Sequence, residues 1–359
     1  MKIVLVIPTM KQGGAERVMS ELANHWAREG HVVTLILLLK REHFYQLDSR
    51  IKVKELFFEN RGKINKIYNE FKLFLAFRGV IKEESADFIL SFMEKYNLFA
   101  LLSTIGLKEK VFVSDRSSPH TKVPLHVKYL RRLVYPYAEG IVAQTSLAEE
   151  ILFKETGHKN INTISNPLKK VFHYPKINKE KIILNIGRLH PLKGQGLLLE
   201  IFAKSKRDGW KLVILGDGEL LEELKKRVKI LGIENDVLFI GQVDNVDEWL
   251  ARASIFAFTS LSEGFPNALA EAMSAKLSCI SFDCETGPSE LIIDGLNGFL
   301  IPLENQEIFI KRLEELIVNE SLRDRLGIEA GEIGKRLDIN KIANDYLSFC
   351  SSSSMNGGN

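Results

Sequence analysis

Two glutamates, Glu263 and Glu271, stand eight positions apart in the stretch Ser262–Met273, which reads SEGFPNALAEAM. Pro266 suits the first position of a helix, because proline lacks the N–H that this position does not need. Such a helix would hold Glu271 about one turn inside and leave Glu263 in the preceding loop, beside Gly264. Helix N-termini bind anions, and carboxylates accept hydrogen bonds from vicinal hydroxyls. The stretch therefore predicts a ligand with hydroxyls on both sides of an anion, as in a nucleotide sugar.

The N–H groups predicted to face that anion belong to Phe265, Asn267 and Ala268. An acid favoured by the helix macrodipole would account for Glu271 alone. It gives no reason for Glu263, which lies in a loop constrained by glycine and proline. The interpretation that uses both glutamates is the nucleotide sugar.

Two cations, Arg188 and Lys193, follow the apolar run at 181–187, and a helix is predicted to begin near Lys193. Cations beside a helix N-terminus form a strong diphosphate site, because their charges add to the free N–H groups and the dipole. Each cation alone could be an ordinary solvated charge, but their shared position after a strand favours the site. The later run Gly216-Asp217-Gly218 lacks the third glycine of a dinucleotide fingerprint, and no phosphate-loop sequence occurs.

The elements that must position these residues are short apolar runs that alternate with amphipathic helical stretches. Seven such runs precede the lysine- and proline-containing segment 166–180, and six follow it. Apolar strands with helical crossovers indicate parallel sheets covered on both faces. We therefore expect an α/β protein of two doubly wound, Rossmann-like domains facing across a cleft. Ligands of such sheets bind at the carboxyl ends of the strands, where the residues above lie.

The predicted domains are residues 1–172 and 173–338, and the paired glutamates and cations place nucleotide-sugar binding in the second. A helix at 339–350 is predicted to pack back on the first domain. The tail 351–359 is rich in serine and glycine, and we predict that it is disordered.

The formal net charge of +3 hides an asymmetry between the two halves. Residues 1–170 contain 27 Lys and Arg against 18 Asp and Glu, whereas the remainder contains 22 against 28. A basic half predicts an anionic partner, although such an imbalance also arises without a function. The three cysteines show no paired spacing, and no apolar run approaches the roughly 20 residues of a membrane span. A reduced, cytoplasmic location is therefore expected.

Six segments together resemble a retaining glycosyltransferase of family four, a two-domain GT-B enzyme, over nearly the whole chain. They are GGAERV (13–18), GRLHPLKG (187–194), GDGE (216–219), GQVDNV (241–246), SEGFPNALAEAM (262–273) and GPSELIIDGLNGFL (287–300). The resemblance implies that Arg188 and Lys193 hold the donor diphosphate. It also implies that Glu263 contacts the sugar hydroxyls and Glu271 the ribose, and that residues 1–172 form the acceptor-binding domain.

Further donor contacts follow from the same resemblance. Gly13 and Gly14 would let the backbone of the first domain approach the diphosphate, because glycine has no side chain in the way. Gly218, Gln242 and Val243 would border the base. The motifs are similar to those of bacterial N-acetylgalactosaminyl- and galactosyltransferases that build glycans on polyprenyl diphosphate. The expected donor is thus UDP-GalNAc or UDP-Gal, with UDP-GlcNAc, UDP-Glc and GDP-mannose as alternatives, and the expected acceptor is a lipid-linked glycan.

The chain departs from the family at the strand that reads VFVS. Many members carry a histidine after it, whereas this chain has Arg116, with His120 four residues later. Asp115, Arg116 and His120 are predicted acceptor-side residues. No carboxylate is placed as a covalent nucleophile, which predicts front-side attack at the sugar. No Asp-x-Asp pair occurs, so neither a metal ion nor another cofactor is expected.

Two basic segments with interleaved aromatic residues, 61–82 and 122–137, predict contact with the anionic inner face of the cell membrane. The predicted contacts are Lys66, Lys72, Arg131 and Arg132. The same pattern also fits ordinary amphipathic helices packed on the sheet with their lysines in solvent.

Two functions of other classes remain open from the sequence. A nucleic-acid-binding protein would use the basic half, but it gives no reason for the paired glutamates of the acidic half. A sugar-nucleotide epimerase can share the two-domain fold, and it differs in returning an altered sugar without an acceptor.

Overall fold

The computed structural model describes residues 1–40, 43–57, 63–116, 124–168 and 177–352, and for residues 63–67 and His126 the backbone alone. The chain divides into two compact units. Unit 1 is Met1–Pro167 together with the chain from Asp338 onward, and unit 2 is Leu168–Leu337. The predicted boundary between residues 172 and 173 lies outside the described residues.

Each apolar run of the sequence forms a strand. The strands of the described residues are β1 (Lys2–Ile7), β2 (Val32–Leu37), β3 (Lys52–Glu55), β4 (Phe88–Phe92), β5 (Val111–Ser114), β6 (Gly140–Ala143), β7 (Ile161–Thr163), β8 (Ile182–Ile186), β9 (Lys211–Leu215), β10 (Val237–Gly241), β11 (Ile255–Phe258), β12 (Ser278–Asp283) and β13 (Phe299–Pro302).

Helices connect these strands. The α-helices of the described residues are α1 (Gly14–Arg28), α2 (Lys63–Glu84), α3 (Glu94–Thr104), α4 (Leu125–Val134), α5 (Ser146–Thr156), α6 (Gln195–Lys204), α7 (Leu221–Ile230), α8 (Val246–Arg252), α9 (Asn267–Ser274), α10 (Pro288–Leu291), α11 (Gln306–Val318), α12 (Glu320–Ala330), α13 (Ile333–Arg336) and α14 (Ile339–Ser352).

Unit 1 is a parallel sheet with the strand order β3-β2-β1-β4-β5-β6-β7 among the described residues. Its central strand β1 is buried at every position after Lys2, because helices cover both faces. The chain reverses its direction of winding between β1 and β4, which are paired neighbours. Ligands of doubly wound sheets bind at this switch point, beyond the carboxyl ends of the strands.

The final helix α14 belongs to unit 1. Trp26 of α1 is fully buried, donates its ring N–H to the carbonyl of Ala343, and lies edge-on to Phe88 and Tyr346 with 6.4 Å between ring centroids. The helix continues to Ser352, so the first two residues of the predicted disordered tail are helical. The rest of that tail lies outside the described residues.

Unit 2 repeats the same plan with the strand order β10-β9-β8-β11-β12-β13 in the part of the chain that the structure describes. All of its strand pairs are parallel, and β8 and β11 meet at the point where the winding reverses. Helices α6 and α11 pack a buried aliphatic and aromatic core onto the sheet, with Phe202 and Phe309 fully buried. The predicted α/β class with two Rossmann-like domains is confirmed.

Candidate active site

The two loops that leave β8 and β11 meet at the switch point of unit 2. The first contains a one-turn 3-10 helix, Pro191–Lys193, capped by the His190 ring, which accepts a hydrogen bond from Leu192 N–H at 3.2 Å. Gly194 follows with φ of 64°, and a Cβ there would lie 2.1 Å from the carbonyl oxygen of Thr259. Only glycine permits this approach, which brings the two loops together.

An ion pair joins these loops through their side chains. The Lys193 ammonium lies 2.6 Å from a carboxylate oxygen of Glu263, with side chains 29% and 9% exposed. The sequence predicted that Lys193 binds the diphosphate and Glu263 the sugar, but not that they contact each other. A charge-assisted hydrogen bond is stronger than a neutral one, and the partly exposed Lys193 ammonium can still be reached from solvent.

Arg188 lies in the same loop as Lys193 and is exposed. Within the described part of the chain, no carboxylate pairs with its guanidinium. Behind it, a Cβ on Gly216 would lie 2.1 Å from the Gly187 carbonyl oxygen, and one on Gly218 would lie 2.3 Å from that of Leu189. The glycines after β9 thus let the two strand-end loops pack closely, a structural role for Gly218 beside the one predicted at the base.

The start of α9 differs in detail from the prediction. Pro266 has ψ of 70° and precedes the helix, so the first helical residue is Asn267. The Asn267 N–H donates to the Phe265 carbonyl at 2.9 Å, which corrects the prediction that this N–H is free to bind an anion. Phe265 is buried, whereas Ala268 and Glu271 are half-buried on the first turns of the helix.

At the end of β10, Gln242 is exposed and Val243 is half-buried. The Gly241 carbonyl accepts the Gly216 N–H at 2.8 Å, which ties this strand end to the loop after β9. The predicted base-side residues therefore lie beside the Gly216–Gly218 loop.

In unit 1, Gly13 and Gly14 lie at the start of α1. The Tyr45 hydroxyl accepts the Gly13 N–H at 3.3 Å and donates to the Gly13 carbonyl at 2.9 Å. A Cβ on Gly13 would lie 2.2 Å from a carboxylate oxygen of Glu16, which is buried and accepts a hydrogen bond from Thr9. The Glu16 carboxylate thus occupies the space beside Gly13, and the Gly13 N–H is already bonded.

Asp115 and Arg131 lie in one buried charge cluster, named here the Arg131 cluster, with Glu94 and Glu155. Arg131 lies 3.0 Å from Glu94 and 3.3 Å from Asp115, and it also pairs with Glu155. The side chain of Arg131 is 8% exposed. Arg131 was predicted to contact the membrane, and this is wrong, because its guanidinium is buried against three carboxylates.

Asp115 lies in this cluster as a buried carboxyl group with three hydrogen-bonding partners, Arg131, Tyr135 and Asn97. Burial raises the pKa of Asp115, although Arg131 and hydrogen bonds from Tyr135 and Asn97 oppose this. Burial, together with the Asp115 charge, also raises the pKa of Glu94. Asp115 thus has internal partners, and its acceptor-side role stays a prediction.

Arg116 stabilises the C-terminal helix. Its guanidinium donates to Tyr346 of α14 at 3.2 Å and to Asn166 at 2.5 Å, and it lies over the Phe92 ring at 4.3 Å. Burial lowers the pKa of Arg116. The residue that stands where many family members carry a histidine therefore has a structural role here.

The remaining predicted residues are His120 and the membrane contacts Lys66, Lys72 and Arg132. His120 lies outside the described residues, and so does the side chain of Lys66. Lys72 lies 4.4 Å from the Tyr68 ring centroid, and Arg132 is exposed. No helix in the described residues is long and apolar enough to cross a membrane.

Three residues with contacts at these sites were not predicted from the sequence: Thr286, Tyr45 and Glu94. Thr286 and Glu94 lie just beyond the carboxyl ends of β12 and β4. That placement was a usable signal, because strand ends form the ligand edge of such sheets. Tyr45 lies in a loop after β2 and gave no pattern.

Comparisons with known proteins agree with this architecture. Residues 12–169 match the family described as Glycosyltransferase Family 4, and residues 169–332 match Glycosyl transferases group 1. A Campylobacter jejuni relative is 32% identical over 354 residues, covering 97% of each chain. It is named GalNAc-alpha-(1->4)-GalNAc-alpha-(1->3)-diNAcBac-PP-undecaprenol alpha-1,4-N-acetyl-D-galactosaminyltransferase. A second, from the same organism, is 28% identical over 97% of this chain and 99% of its own. Its name is N-acetylgalactosamine-N,N'-diacetylbacillosaminyl-diphospho-undecaprenol 4-alpha-N-acetylgalactosaminyltransferase.

Solved structures share the fold. Anabaena Alr3699/HepE in complex with UDP is similar with a TM-score of 0.82 at 18% identity, covering 98% of this chain and 100% of that one. The lipopolysaccharide outer core galactosyltransferase WaaB in its apo form has a TM-score of 0.79 at 23% identity, covering 98% and 99%. The two-Rossmann GT-B fold is confirmed.

Proposed function

Because the chain belongs to the glycosyltransferases, with a family-four first half and a group-one second half, we propose that it transfers N-acetylgalactosamine or galactose from a UDP-sugar. The acceptor is a polyprenyl-diphosphate-linked glycan, and the transfer retains the configuration at the anomeric carbon. The observation that carries the proposal is the Lys193–Glu263 pair at the switch point of unit 2. The substrates named for the two Campylobacter jejuni relatives support this choice of sugar and acceptor.

The donor is proposed to bind along the loops that leave β8 and β11. Lys193 and Arg188 bind the diphosphate, because a half-buried and an exposed cation follow the same strand. The Glu263 carboxylate accepts hydrogen bonds from hydroxyls of the sugar, and the Glu271 carboxylate accepts hydrogen bonds from hydroxyls of the ribose. When the diphosphate reaches Lys193, it takes the place of the Glu263 carboxylate and frees that carboxylate for the sugar.

We propose front-side attack as the chemical step. The acceptor oxygen bonds to the anomeric carbon while the bond from that carbon to the diphosphate oxygen breaks on the same face. The acceptor proton passes to the departing diphosphate oxygen. Lys193 and Arg188 stabilise the charge on the leaving group. Preorganised electrostatic stabilisation of this kind accounts for most of the rate enhancement of many enzymes.

This step needs no metal ion, because two cations of the chain take the place of a metal at the diphosphate. Turnover is expected to be unchanged in EDTA. If EDTA abolishes turnover and a divalent ion restores it, metal independence is wrong.

We also propose that unit 1 binds the inner face of the cell membrane through α4. Leu125, Tyr129 and Leu133 stand four residues apart on this helix and are 84%, 67% and 52% exposed. Arg132 is exposed beside them. An exposed apolar stripe with adjacent cations is typical of a helix that lies in the interface of an anionic membrane.

Vesicle pelleting tests this surface. The double variant Leu125→Ser/Leu133→Ser is expected to lose pelleting with anionic vesicles, and Arg132→Gln to weaken it. Ile230→Ser in unit 2 is the matched control, because Ile230 is also 84% exposed. If the double variant pellets like the control, the proposal that α4 binds the membrane is wrong.

The function itself is tested by a donor panel. UDP-GalNAc, UDP-Gal, UDP-GlcNAc, UDP-Glc and GDP-mannose are each incubated with and without a polyprenyl-diphosphate-linked glycan. We expect UDP release from UDP-GalNAc or UDP-Gal only with the acceptor, and an α-linkage in the product by NMR. A β-linkage contradicts retention, an altered free sugar nucleotide indicates an epimerase, and turnover of none of the five contradicts the proposal.

A further inference from the structure

Thr286, in the loop after β12, contacts the loop that carries Glu263. Strands β11 and β12 are paired neighbours, so the loops at their carboxyl ends lie side by side. The Thr286 hydroxyl donates a hydrogen bond to the main-chain carbonyl of Glu263, and the residue is 2% exposed. This bond is therefore shielded from water.

A second contact fixes the same pair of loops. Gly287 has φ of 104°, and a Cβ there would lie 2.3 Å from the ring of Pro266. Only glycine allows this approach, because other residues rarely adopt such a φ and would strike the proline. The segment 286–287 thus lies against the 263–266 loop at both of its ends.

The surroundings of Thr286 are dry. Cys284 donates its thiol hydrogen to the Thr286 carbonyl at 3.7 Å. Burial, and secondly the charge of nearby Glu263, raises the pKa of Cys284 to about 12. The thiol therefore stays protonated and serves as a donor to the Thr286 carbonyl.

Glu263 is consequently fixed from two sides. Thr286 bonds its main chain and Lys193 bonds its side chain, and the two partners come from loops on opposite sides of β11. When a donor diphosphate takes Lys193, the main-chain bond from Thr286 still holds Glu263 in place.

We propose that Thr286 is a positioning residue for the transfer reaction, acting through Glu263. This inference rests on the proposed function, because it assumes that the Glu263 carboxylate binds the donor sugar. A displacement of about 1 Å at such a residue can cost about 10²-fold in rate. Thr286→Val, which removes the hydroxyl and keeps the shape, is therefore expected to lower kcat by about 30- to 100-fold.

The variant Thr286→Ser retains the hydroxyl and is expected to restore kcat to within about threefold of wild type. Thr104→Val is the matched control, since its buried hydroxyl also donates to a carbonyl, that of Ala100 at 2.8 Å in α3. We expect wild-type kcat in this control. A loss as large as that of Thr286→Val would overturn the inference.

A double-mutant cycle separates positioning from general stability. If Thr286 acts through Glu263, adding Thr286→Val to Glu263→Gln lowers kcat by less than about threefold, because the carboxylate is already gone. If the two losses multiply instead, Thr286 does not act through Glu263 and the inference is wrong.

Hydrogen exchange of the peptide at 259–268 gives a readout that needs no turnover. Thr286→Val should speed exchange there, whereas Thr286→Ser and Thr104→Val should leave it unchanged. Unchanged exchange in Thr286→Val overturns the inference whatever the enzyme transfers. Faster exchange in a chain that uses no donor of the panel would instead contradict the proposed function while the contact stands.

Discussion

Each of the two units contains a cation paired with carboxylates near its strand ends. The two cations differ in how many carboxylates they contact and in how deeply they are buried. In unit 1, Arg131 is 8% exposed and contacts three carboxylates. In unit 2, Lys193 is 29% exposed and contacts one, that of Glu263. From sequence both cations were predicted to bind an external anion, and the structure leaves only Lys193 available for one.

The difference has a physical cause. A buried cation with several carboxylates has exchanged all of its hydration for fixed partners, and removing it leaves unpaired buried charge. A half-exposed cation with one partner loses one charge-assisted bond when a ligand anion arrives and gains another. We infer that the Arg131 cluster stabilises unit 1 and that the Lys193–Glu263 pair serves the ligand.

The largest predicted effect is on the stability of unit 1. Arg131→Met should lower its free energy of unfolding by about 3–5 kcal/mol, because three carboxylates lose their shared cation. Urea unfolding followed by the fluorescence of Trp26, with Trp210 and Trp249 replaced by Phe, reports on unit 1. Arg132→Met is the control, and as an exposed substitution it should change stability by less than about 0.5 kcal/mol. Equal stability of the two variants would contradict the inference that the Arg131 cluster stabilises unit 1.

A smaller effect is predicted on turnover in unit 2. Lys193→Ala should lower kcat by about 10²- to 10³-fold, the scale of one preorganised electrostatic donor at a developing charge. Lys225→Ala on α7, which removes an exposed ammonium paired with Glu222, serves as the control and should keep wild-type kcat. Turnover of Lys193→Ala within about threefold of wild type would mean that this cation does not serve the leaving group.

The smallest predicted effect is a pH dependence of unit 1. The folded chain raises the pKa of Asp115 above its ordinary value of 3.8. The folded state then binds a proton that the unfolded state releases, so stability is lost as pH rises through the folded pKa. The stability of wild type minus that of Asp115→Asn should therefore be greatest below about pH 4 and should fall at higher pH. A difference that rises with pH would contradict this sign, and the same Trp26 assay measures it.

The sequence predicted the fold well for a definite reason. A continuous apolar run such as Ile3–Ile7 is typical of a parallel strand that is covered on both faces. Such strands need helical crossovers between them, which predicts the helices as well. The site was predictable where residues lie directly after strands, as with Arg188, Lys193 and Glu263. Strand-end position determines which loops can meet at the switch point.

Contacts between elements far apart in sequence were not predictable. Arg131 has a basic, aromatic sequence neighbourhood that fits a membrane surface, yet its carboxylate partners come from α3, α5 and the end of β5. The helix start at Asn267 depends on the ψ of Pro266, which no spacing reveals. The pairing of Lys193 with Glu263 follows from the proximity of two loops and not from their residue types.

The most direct test of the account is the affinity for UDP of wild type, Lys193→Ala and Glu263→Gln, measured by calorimetry. If the diphosphate displaces Glu263 from Lys193, Lys193→Ala should bind UDP about tenfold or more weakly, the worth of one charge-assisted bond. Glu263→Gln should bind UDP several-fold more tightly, because Lys193 has lost its competing anion. Affinities that are unchanged in both variants, or weaker in Glu263→Gln, would contradict the central claim that this pair opens to receive the donor diphosphate.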